Sequence, residues 1–127
     1  GELSALAALP AITVRQFGSA EWVHPDAVRE EDRRRARQAL AYAGEALAGG
    51  EYKLVILDEI NVALDWRLLE VAPVIDLIRT KPAGVELVLT GRNAPAEIIA
   101  AADLVSEMRE VKHPYQQGIL ARCGIEF

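Results

Sequence analysis

Two polar tetrads, Asp58-Glu59-Ile60-Asn61 and Thr90-Gly91-Arg92-Asn93, each follow a run of apolar residues. A carboxylate pair at the end of a hydrophobic strand suits a divalent cation such as magnesium, which keeps several waters and takes only one or two protein oxygens. An Arg in a neighbouring loop grips phosphate or carboxylate through paired hydrogen bonds, and Gly91 lets a second backbone come close. Each tetrad also has a plainer reading. An acidic pair after a strand caps a helix or pairs with a cation, and Asn93 with Pro95 can simply begin a helix. If the two strands are neighbours, both tetrads face one cleft, because ligands in open α/β sheets bind beyond the carboxyl ends of the strands.

The elements that must position these residues follow from periodicity. Residues 53–57 and 85–89 are almost unbroken apolar runs, as expected of strands covered on both faces in a parallel sheet. Residues 11–17 and 103–108 read as two further short strands. Between about 25 and 48 the residues Ala36, Ala39, Leu40, Ala43, Ala46 and Leu47 recur at helical spacing, and Gly49-Gly50 stops the helix. Its Arg33-Arg34-Arg35 run follows Glu30 and Glu31, so Glu30 with Arg34 and Glu31 with Arg35 predict a self-paired solvated face, not a phosphate patch. A short helix is expected after Asn61. Another carries Val74, Ile75, Leu77 and Ile78 with Pro73 in its first turn, and a last one spans 95–101. Residues 1–10 read as a connector and 110–127 as mostly loop. Strands alternating with helices make the chain an α/β protein with right-handed crossovers and an open, mostly parallel sheet.

Composition narrows the function. The 127 residues carry 14 Lys and Arg against 19 Asp and Glu, a net charge of −5, which disfavours nucleic acid as a partner. No apolar run approaches the roughly 20 residues that cross a bilayer, so no membrane role is expected. The single cysteine, Cys123, cannot form an internal bridge, and with no His/Cys cluster it fits a reducing cytoplasm and not a zinc module. A Gly-x4-Gly-Lys-Ser/Thr phosphate cradle is absent: none of the nine glycines begins one. Trp22 reads as an exposed stacking residue or as local packing, and Lys112-His113-Pro114-Tyr115 as the wall of an anion site or as a surface turn. His24 and His113 are too isolated to form a metal site.

The segments Val-Ile-Leu-Asp-Glu-Ile-Asn (55–61), Leu-Thr-Gly-Arg-Asn-Ala-Pro (89–95), Ala-Asp-Leu-Val-Ser-Glu-Met-Arg (102–109), Val-Lys-His-Pro-Tyr (111–115) and Gly-Ile-Glu-Phe (124–127), in this order and spacing, resemble the ATP:corrinoid adenosyltransferases of cobalamin biosynthesis and salvage. The likeness runs from about Phe17 to the C-terminus. It implies a P-loop NTPase-like three-layer α/β/α fold with a mostly parallel sheet. It also implies a homodimer, an electron-donating flavoprotein partner, and transfer of the 5′-deoxyadenosyl group of ATP to cobalt(I) of a corrinoid, with release of triphosphate. By the same resemblance Glu59 is the magnesium ligand, with Asp58 holding it or its waters, and Arg92 faces the corrinoid or nucleotide. Trp22 corresponds to the aromatic loop under the corrin ring, although its spacing differs from the family's Phe-Thr-Trp. Asn61, Asn93, Lys112 and His113 match positions near the cleft.

The family pattern further implies a first strand, P-loop, first helix and second strand ahead of Gly1. Residues 1–127 then form a single partial domain, with 1–10 a connector and 11–127 the α/β core and tail. Such a piece is expected to bind ATP poorly and to turn over little. The alternative is a non-catalytic corrinoid-binding or dimerisation module built on the same sheet.

Overall fold

The computed structural model describes residues 2–19 and 23–124, so the position of Trp22 lies outside the described residues. Two compact units are present. One comprises Phe17–Val105 and the other Gly1–Gln16 with Ser106–Phe127.

The larger unit is α/β. A 3-10 turn at Pro25–Ala27 precedes helix α2 (Glu30–Ala48), strand β1 (Leu54–Leu57), helices α3 (Ile60–Asp65) and α4 (Val71–Thr80), strand β2 (Glu86–Leu89) and helix α5 (Ala96–Ala101); α1 (Glu2–Ala7) belongs to the other unit. The strands pair in parallel, Leu54 beside Glu86 through Leu57 beside Leu89. A parallel pair needs a long crossover, and α3 with α4 supplies it.

The helix expected from Pro25 starts at Glu30. Asp32 explains that start. Its carboxylate is 6% exposed and accepts the Arg29 N–H at 3.0 Å, closing the first turn from the third helical position. The Arg29 guanidinium and backbone N–H hold the Asp32 carboxyl below its usual range. Along the basic run, Arg34 binds Glu31 at 2.7 Å and Arg35 Nε binds the same carboxylate at 2.9 Å. These bonds lower the Glu31 carboxyl and raise the Arg34 guanidinium relative to their ordinary values. The expected Glu30–Arg34 pair does not form: with Arg34 committed to Glu31, Glu30 pairs with Arg37 two turns on. The self-paired face is nevertheless what the helix presents.

A core of Ile60, Leu64, Leu69, Val74 and Ile98 gathers α3, α4 and α5, with Ala36 and Leu40 of α2 and Leu57 and Leu89 of the strands packed against it. Alternate strand residues point the other way, and Leu54, Ile56 and Val88 are 50%, 55% and 41% exposed. The sheet is therefore covered on one face here, not on both as its apolar runs imply. Apolar character is written in the strand, whereas cover comes from elements elsewhere.

Two of the expected strands do not form. Residues 11–17 and 103–108 carry no ladder pairing, and Leu104 and Met108 are 85% and 95% exposed. β-propensity expresses fit to a pleated surface with neighbours, and it makes no strand without them. Phe17 instead rests on α2, its ring 5.5 Å from that of Tyr42.

In the smaller unit the expected connector holds α1, closed by turn bonds from Ala8 N to Ala5 O and Leu9 N to Leu6 O. Its described C-terminal residues, 106–124, are irregular apart from a 3-10 turn at Pro114–Gln117, where His113 Nδ1 accepts the Tyr115 N–H at 3.1 Å. Among the described residues no helix is long and apolar enough to cross a membrane.

Candidate functional site

The loops that follow β1 and β2 leave the sheet at the same end and touch. Asp58 and Glu59 close β1, and α3 begins at Ile60. Glu59 adopts left-handed backbone at φ 59°. That conformation costs an ordinary residue about 1–2 kcal/mol, and surrounding bonds must hold it. Thr90, the residue after β2, does so: its Oγ1 accepts the Glu59 N–H at 2.9 Å and donates to Asp58 Oδ1 at 2.7 Å.

Gly91 follows, at φ 117°. A Cβ there would meet Val62 N at 3.1 Å and Asn61 Cβ at 3.2 Å, so the glycine allows the second loop to lie against the start of α3. Asn61 is 6% exposed beneath this contact, and its Oδ1 has no hydrogen-bond partner among the described residues. Asn93, also left-handed at φ 59°, reaches back through Nδ2 to Asp65 Oδ2 at 2.8 Å. Asn tolerates this backbone better than most residues, and here the bond to Asp65 holds it there.

Thus Asp58, Glu59, Asn61, Gly91 and Asn93 come together, with Arg92 between the last two. Arg92 is exposed and makes no hydrogen bond or ion pair among the described residues, and the Glu59 carboxylate likewise has no partner there. Lys112 and His113 belong to the other unit, where His113 caps a turn. Sequence reading assigned no task to Thr90 or to Asp65. Their bonds join positions 28 to 32 residues apart, so no local signal marks them.

Among the described residues no three His, Cys, Asp or Glu side chains converge to make a self-sufficient metal cage. Two exposed carboxylates instead match a magnesium ion that retains waters and takes its remaining oxygens from phosphate. The donor set thus fits a cation delivered with a polyphosphate.

The family model for ATP:corrinoid adenosyltransferase BtuR/CobO/CobP matches residues 1–127. The chain belongs to this adenosyltransferase family. A corrinoid adenosyltransferase of Sinorhizobium sp is 42% identical over 100 residues, 78% of this chain and 47% of that protein. Another, from Pseudomonas aeruginosa, is 42% identical over 99 residues, 78% of this chain and 49% of its own length. The corrinoid adenosyltransferase of Escherichia coli K12 is 31% identical over 99 residues, again 78% of this chain and 50% of its own. The chain therefore spans about half the length of these curated relatives. An α/β unit with a parallel strand pair is compatible with the P-loop-like fold expected of the adenosyltransferase family.

Proposed function

We propose that this chain forms the cation-binding half of an ATP:corrinoid adenosyltransferase. The observation that carries the reading is the meeting of the two post-strand loops, with Thr90 bonded to both Asp58 and Glu59 and Arg92 two residues beyond. In the reaction, cobalt(I) of the corrinoid donates an electron pair to the ribose 5′ carbon of ATP, the carbon–oxygen bond to the triphosphate breaks, and triphosphate leaves. Magnesium, when bound, neutralises part of the charge growing on that leaving group.

The protein's own residues orient and screen. Glu59 holds the cation and Asp58 steadies it or its waters, while Arg92 offers a planar donor fork to a phosphate or to a corrinoid carboxylate or amide side chain. Charge stabilisation set in place before reaction is the main catalytic device. Asn61 and Asn93 shape the loops. Three layers and a phosphate cradle come from the remainder of the sheet. The share of the relatives that this chain spans, and the exposed Leu54, Ile56 and Val88, support that reading. A homodimer, an electron-donating flavoprotein and a cytoplasmic setting, consistent with the exposed free thiol of Cys123, belong to the same proposal.

Glu59→Gln tests it in the complete enzyme. Direct cation ligands matter more than the residues behind them, whose loss costs about 10–100-fold, so turnover with magnesium and ATP should fall at least about 100-fold. Unchanged turnover would reject the assignment. The 127 residues alone should show little transferase activity in the same assay.

A further inference from the structure

Thr90 spends every hydrogen-bonding group it has on the segment that carries the acidic pair. Its N–H donates to Leu57 O at 3.2 Å and its carbonyl accepts from Asn61 N at 3.1 Å. Its hydroxyl accepts the Glu59 N–H and donates to Asp58 Oδ1. Four bonds from one residue therefore pin positions 57, 58, 59 and 61.

The Leu57 bond extends the parallel ladder and the Asn61 bond ties the first turn of α3 to the loop, and any residue but proline could make both. The two hydroxyl bonds are specific, because among short side chains only Ser and Thr donate and accept through one and the same atom. The short, charge-assisted bond to Asp58 occupies one carboxylate oxygen and fixes the plane of the group. The bond from Glu59 N–H holds that residue in its left-handed turn. From there its carboxylate stands in solvent with no partner among the described residues.

We infer that Thr90 is a positioning residue that presets both carboxylates for a divalent cation, a role resting on the proposal that Glu59 is the cation ligand. Thr90 itself touches neither the cation nor the substrates. Its hydroxyl acts through Asp58 and Glu59, so loss of the hydroxyl weakens the cation, and serine restores it.

The test uses Mn2+ together with inorganic triphosphate as the probe on the full chain, following paramagnetic broadening of the backbone amide signals of residues 58–61 and 90–93. In the unaltered protein these signals broaden first, and Glu59→Gln abolishes the localisation. Thr90→Val weakens the apparent affinity about tenfold, while Thr90→Ser stays within about threefold of the starting value. Exchange of the Glu59 amide with solvent provides a check that needs no variant: it is slowed in the unaltered protein.

Should Glu59→Gln abolish binding while Thr90→Val binds like the unaltered protein, or should serine fail to rescue, the role of Thr90 is overturned and the ligand assignment stands. Failure of Mn2+ to localise at residue 59, or indifference to Glu59→Gln, overturns the ligand assignment and the inference with it. A freely exchanging Glu59 amide overturns the positioning role even if Thr90→Val does not fold.

Discussion

Gly91 and Asn61 meet so closely that a Cβ on the glycine would stand 3.2 Å from the Asn61 Cβ and 3.1 Å from Val62 N. That contact seats the loop after one strand on the first turn of the helix that follows the other. Gly91→Ala must both push the loops apart and adopt φ 117°. The expected cost is about 1–3 kcal/mol, read from chemical denaturation, and an unchanged midpoint would mean that the loops separate freely.

Glu59 presents the opposite case, a residue with a side chain where the backbone favours glycine. Glu59→Gly relieves the left-handed strain and removes the carboxylate in one step. Stability should hold or rise by up to about 1 kcal/mol, while turnover of the complete enzyme collapses. Thermal melts paired with activity measurements would reveal this trade, and a large loss of stability would contradict it.

Leu64 ties α3 to the core at 6% exposure. Leu64→Ala leaves a cavity beneath the helix that follows the acidic loop. A loss of about 2–5 kcal/mol is expected, measured by urea unfolding. A loss well under 1 kcal/mol would show that α3 is not anchored there.

Asp32 sets a pH dependence. Its carboxyl is held below the ordinary value of 3.8 by the Arg29 side chain and then by the Arg29 N–H. Its contribution is therefore complete above that value and disappears as pH falls through the lower folded-state value. Asp32→Asn should melt at a lower temperature at neutral pH, with the gap to the unaltered protein narrowing only below about pH 3.8. A gap independent of pH would mean that the ionised carboxylate is not what closes the helix.

Much of the fold was legible locally. The apolar runs around Leu54–Leu57 and Glu86–Leu89, the helical spacing through Leu47, and the stop at Gly49-Gly50 are each local, where periodicity and turn chemistry act. The expected strands at 11–17 and 103–108 failed because a strand is completed by a neighbour that its own residues do not specify. Glu30 chose Arg37 over Arg34 because Glu31 had already engaged the nearer guanidinium.

At the candidate site the division is the same. Residue types alone determined that two polar tetrads end two hydrophobic strands and that their order matches the adenosyltransferases, since these are properties of composition and spacing. Only the tertiary structure decided that Thr90 clamps Asp58 and Glu59, that Asn93 reaches Asp65, and that Glu59 turns left-handed. Those contacts span 28 to 32 residues and exist only once parallel pairing brings the strand ends side by side.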